Sequence, residues 1–106
     1  MPRPLSNSAV AVLQALAGGL RHGFDIIDAT GLPSGTVYPA LGKLEDAGLV
    51  VSRWEDPKVA QQEKRPPRRY YEMRPAGESA LKDAVRALRM LQKPITGRTR
   101  AARARS

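Results

Sequence analysis

Hydrophobic and polar positions along the chain recur with two periods, one helical and one of strand type. In SAVAVLQALA (8–17), Val10, Leu13 and Ala17 fall on one helical stripe with Leu16 beside it, and Ser6 or Ser8 stands at the N-cap. Gly18-Gly19 stops this helix, because glycine accepts the left-handed conformation there. HGFDIIDAT follows as a second helix of about two turns, its apolar face formed by Phe24, Ile27 and Ile26. GLPSG makes a turn, and Ser34 is placed to cap a third helix from Ser34 to Ala47. On that helix Val37, Leu41, Leu44 and Ala47 or Gly48 share one face, opposite Thr36, Tyr38, Pro39, Gly42, Lys43 and Asp46.

At LVVSRW the pattern changes to strand character, and RRYYEM is the returning strand. EDPKVAQQEKRPP between them reads as a long hairpin loop. Tyr70 and Tyr71 point to opposite sheet faces, with Tyr71 assigned inward and the Arg69 head reaching out to solvent. Trp54 reads as a core or hairpin-packing residue, and His22 as a capping or packing residue. A fourth helix starts at Pro75 and carries Leu81, Val85, Leu88 and Leu91 as a seam before Pro94 ends it. Helix, helix, turn, helix, hairpin, helix is a mainly α fold with a small β-hairpin, a winged helix-turn-helix plus a C-terminal dimerisation helix. The expected divisions are a winged helix-turn-helix DNA-binding domain over 1–74, the dimerisation helix over 75–93 and a basic flexible tail over 94–106.

Composition narrows the chemistry. The 106 residues hold no Cys and one His, which leaves no thiol catalysis, no disulfide framework and no ordinary metal site. No cofactor and no catalytic residue is read, since no nucleophile–base set or phosphate-binding glycine loop is present. No apolar run is long enough for a membrane span, and a cytoplasmic protein, on the nucleoid when bound to DNA, is expected. The net charge of +8 is unevenly placed: residues 1–54 balance, 55–83 carry one excess base, and 84–106 hold seven bases without an acid. Within the middle segment Lys64, Arg65, Arg68 and Arg69 crowd the hairpin around Pro66-Pro67, and such density calls for an anion. Ser34, Gly35 and Thr36 offer N–H groups and hydroxyls at a helix start, while Tyr38 and Lys43 extend the same side toward a base edge or the backbone. Double-stranded DNA is the expected partner. The alternative is a winged-helix protein-interaction or assembly module that sets its basic surface on an acidic partner.

The stretches HGFDII, PSGTVYPALGKLEDAGLV, SRW and RPPRRYYEMRPAGESAL resemble the PadR family of winged-helix transcriptional regulators, in the family's order over about residues 9–82. The resemblance implies a homodimer on a palindromic operator that usually represses a neighbouring gene. It implies a recognition helix bearing Ser34, Gly35, Thr36, Tyr38, Pro39 and Lys43, and a wing bearing Lys64, Arg65 and Arg68. Two departures stand out: the segment before PSGTVYPAL is short, and a single helix plus tail follows Pro75, as in short members without a separate C-terminal domain. Residues 75–106 contain no aromatic residue, so a small-molecule effector held by stacking on this helix finds no support.

Overall fold

The computed structural model describes residues 5–105, with side chains over 5–90. Its elements run α1 (Asn7–Ala17), α2 (Gly23–Thr30), α3 (Ser34–Asp46), β1 (Val50–Trp54), α4 (Pro57–Gln62), β2 (Arg69–Met73) and α5 (Pro75–Arg105). Ser6 caps α1 by accepting a hydrogen bond from the Ala9 amide at 3.1 Å. The face of α1 turned inward is Ala9, Val10, Val12, Leu13 and Leu16, while Ala17 is exposed. Gly31 ends α2 with φ 72°, a left-handed turn that favours glycine. Val12, Leu13, Ile26, Val37, Leu41 and Val50 are fully buried and join α1, α2, α3 and β1 in one core. Burying each of these side chains stabilises the fold by about 1.5–3 kcal/mol before entropy is counted.

The two strands pair antiparallel, with Ser52 opposite Tyr71 and Trp54 opposite Arg69. The edge of β2 away from β1 is held by the segment before α2: the Tyr71 amide donates to the Arg21 carbonyl at 2.7 Å, and His22 makes an isolated bridge to Tyr70. Tyr71 is buried and Tyr70 half-buried, so the inward assignment of Tyr71 agrees with the structure. Among the described residues no helix is long and apolar enough to cross a membrane.

Several expectations are corrected. Pro33, not Ser34, takes the N-cap of α3; its extended backbone (φ −68°, ψ 155°) suits the position, and its carbonyl accepts from Thr36 and Val37. Ser34 is therefore the first helical residue. Pro39 lies inside α3, where the carbonyl it leaves unpaired belongs to Gly35 on the exposed side and is open to water. The loop between the strands contains α4, capped by Asp56, whose carboxylate accepts from the Lys58 amide at 2.9 Å. Pro57 sits in its first turn, and Ala60 is its one buried residue. Phe24 and Trp54 are 70% and 65% exposed, because Ile26 already fills the space beneath α2 and Trp54 stands at the strand's outer end.

Pro94 does not terminate α5: the backbone is helical from Pro75 to Arg105, through the stretch expected to be a flexible tail. A helix interior accepts a proline at the loss of one backbone bond when the turns on either side hold. Of the expected seam, Leu81 packs on the core of its own domain, Val85 is half-buried and Leu88 is exposed; the Leu91 side chain lies outside the described residues.

Candidate nucleic-acid interface

The burial of Val37, Ala40, Leu41 and Leu44 turns the other side of α3 outward. Ser34, Gly35, Tyr38, Pro39 and Lys43 are exposed on it, and Thr36 is half-buried. Tyr38 does not wave free: its ring lies against Gly23, where any Cβ would meet the Tyr38 ring. The glycine that opens α2 therefore sets the position of a side chain on the exposed side of α3. Sequence reading missed Gly23, since it signals nothing locally except a helix start.

The wing is organised by one carboxylate. Arg65 donates from Nη1 and Nη2 to the two oxygens of Glu55 at 2.6 and 2.8 Å. The Tyr70 hydroxyl adds a bond to Glu55 at 3.0 Å, and the Arg68 amide another at 3.3 Å. These bonds, the Arg65 ones foremost, hold the Glu55 carboxyl down at about 2 against an ordinary 4.5. The guanidinium of Arg65 is correspondingly held in its charged form. Arg69 is also engaged: it donates to Ser52 Oγ at 3.0 and 2.9 Å and to Glu45 at 3.3 Å, while Ser52 donates to Glu45 at 2.7 Å. The Arg69 guanidinium lies 5.6 Å from the Trp54 ring and 5.8 Å from the Tyr71 ring. Burial pushes the Tyr71 hydroxyl's pKa up, with Arg69 opposing.

Of the four wing bases named from sequence, Arg65 and Arg69 thus meet carboxylates of their own chain. The side chains of Lys64 and Arg68 have no acidic partner among the described residues. Lys64 sits at the tip with φ 55°, just after α4. Glu55 was not singled out in the sequence; ten residues separate it from Arg65, and only the hairpin pairing joins them.

An acid titration tests this network. Because the Glu55 pKa is depressed in the folded chain, its stabilising contribution is complete above about pH 4.5 and is lost as pH falls toward 2. The Tm of Glu55→Gln should lie below that of the native chain at pH 7, with the gap closing as pH falls through this window. A gap that stays constant from pH 7 to 2.5 would contradict the assignment.

Among the described residues no three His, Asp or Glu side chains come together as a metal site. His22 bonds Asp25 through Nε2 at 3.0 Å and packs edge-on against Tyr70 at 5.9 Å, in keeping with a packing role.

Comparison with known proteins agrees with this geometry. Among solved structures, the chain is similar to a PadR family transcription regulator from hypervirulent Clostridium difficile, at 20% identity and TM-score 0.75, covering 87% of this chain and 97% of that one. It is also similar to a PadR-like transcription factor from Bacteroides fragilis (23% identity, TM-score 0.71, 84% and 86% covered). A third is the transcriptional regulator BldR from Sulfolobus solfataricus (24%, TM-score 0.72, 88% and 62% covered). No curated protein matches the chain. At such identities these likenesses speak for the winged-helix fold alone. The model of the transcriptional regulator PadR-like family, however, matches residues 12–83, more than half of the sequence, so the chain belongs to the PadR-like family of DNA-binding transcriptional regulators.

Proposed function

We propose that the chain is a homodimeric repressor that reads a two-fold-symmetric operator in double-stranded DNA. The observation that carries this is the shared side of α3 and the wing: Tyr38 and Arg68 line one and the same cleft, so helix and hairpin address one surface. The proposed reading unit is residues 1–74, and residues 75–93 bring two copies together through Val85, Leu88 and Leu91. Leu81, which lies on the core, ties that helix to the reading unit. Two recognition helices would enter successive major grooves about 34 Å apart. Occupying an operator this way would block transcription of the gene beyond it.

On α3, Tyr38 and Lys43 serve base and groove-edge recognition, with Ser34, Gly35, Thr36 and Pro39 at the approach to the backbone. In the wing Lys64 and Arg68 take phosphates, and Arg65 and Arg69 hold the hairpin's shape. Duplexes selected from random DNA give the operator, and anisotropy titrations then separate the roles. Tyr38→Ala and Lys43→Ala should each weaken operator binding by about 5–150-fold, equivalent to about 1–3 kcal/mol, and random-duplex binding far less. Lys64→Ala and Arg68→Ala should weaken both duplexes alike. Equal loss on both duplexes for all four variants would sink this division of roles.

A further inference from the structure

Phe24 and Trp54 are large apolar rings left 70% and 65% exposed, and neither supports the core. Together with Tyr38, Pro66, Pro67 and Arg68 they line a cleft of about 480 Å³ between the start of α2, the outer side of α3 and the wing. The charges in this cleft nearly cancel. Arg65 faces Glu55 and Arg69 faces Glu45, which leaves the Arg68 guanidinium as the cation without an acidic partner among the described residues. What remains is one positive charge surrounded by apolar ring faces.

A sugar–phosphate strand has the complementary composition, one negative charge per nucleotide between apolar deoxyribose faces. Geometry leads to the same occupant. A helix in the major groove and a wing at the neighbouring minor groove are separated by one backbone strand, which must pass between them. That passage is this cleft. Its volume is of small-molecule size, but sites for such ligands enclose about 70–90% of what they bind, and walls as exposed as Phe24 and Trp54 do not. We infer that the cleft seats the DNA strand dividing the two grooves, with Arg68 on one phosphodiester and Phe24 and Trp54 against the flanking sugars. This rests on the DNA-binding reading above and adds Phe24 and Trp54 to the interface.

Trp54 is the chain's sole tryptophan, so its emission reports on the cleft directly. With the intact chain and a selected operator duplex, Trp54 emission should change and saturate together with the anisotropy of the labelled duplex. Phe24→Ala and Trp54→Ala should each weaken operator and random duplex equally, by about fivefold to tenfold, without altering the salt slope, because a sugar carries neither sequence nor charge. Arg68→Ala should lower the slope by about one phosphate per copy, close to two for the dimer. Thermal unfolding of each variant confirms that it is folded. A duplex that binds while Trp54 emission stays flat, or folded variants that bind like the native chain, would overturn the cleft assignment and leave the DNA reading standing. Failure of every duplex to bind would overturn both. Benzoate changing Trp54 emission where bound duplex does not would give the cleft to a small aromatic acid instead.

Discussion

Affinity for the operator should fall by about 10³–10⁵ between 50 and 200 mM salt, the largest effect expected of this protein. The reason lies in which bases remain available. Each phosphate neutralised releases about 0.9 of a counterion, so the slope of log affinity against log salt counts cation–phosphate contacts. Lys43, Lys64 and Arg68 have no carboxylate opposite them among the described residues, whereas Arg65 and Arg69 are bonded to Glu55 and Glu45. With helix-terminus and hydroxyl contacts added, about three to five phosphates per copy give six to ten for a dimer, hence the range above. The same accounting predicts unequal roles for neighbouring arginines. Arg68→Ala removes one contact from each copy and should reduce the slope by about two, while Arg65→Ala should leave it nearly unchanged and lower Tm instead. Anisotropy titrations at four salt concentrations measure both. A slope shallower than about −3, or an Arg65→Ala variant that loses slope as Arg68→Ala does, would refute the count.

Helix α3 was readable because its burial is local and periodic: Val37, Leu41 and Leu44 are set by the 3.6-residue repeat, and Tyr38 and Lys43 follow as their complement. The strand pair was readable from alternation, and Tyr71 from its place in that alternation. What escaped depends on distance in sequence. The Glu55–Arg65 pair exists only once the hairpin closes, and density of like charge alone wrongly implied that all four wing bases awaited an external anion. Phe24 and Trp54 looked like core residues because apolarity was taken for burial, yet the core was already full of aliphatic side chains from α1 and α3. Helix α4 did carry a local signature, Asp56 as cap before Pro57, which the polar composition of the loop obscured. Pro94 shows the opposite error, a local stop signal that the helix passes through. Gly23 and Gly77 gave no signal of their close contacts, since what each must accommodate comes from another element.

Gly77→Ala should destabilise the chain by about 2–4 kcal/mol, a drop in Tm on the order of 10–20 °C. Gly77 is buried in the first turn of α5, and a Cβ there would land on the Leu49 carbonyl, with Met73 Cγ 2.8 Å away. Met73 has a flexible side chain and yields. The Leu49 carbonyl does not, because it accepts from the Arg74 amide at 2.9 Å while the Leu49 amide donates to Leu44 at 2.9 Å. Relief therefore requires α5 to lift from the turn between α3 and β1, which draws Leu81 off the core and far exceeds the gain of about 1 kcal/mol in helix propensity. Gly42→Ala provides the contrast: it lies in the interior of α3 with open space around its Cβ position and should raise stability by up to about 1 kcal/mol. Thermal unfolding followed by circular dichroism, at matched protein concentration so that any self-association counts equally, compares the two. A Gly77→Ala variant as stable as the native chain would mean that α5 is not clamped at its start. If the clamp exists and α5 also joins two copies, that same variant should loosen operator binding, since the two recognition helices would no longer be held at one spacing.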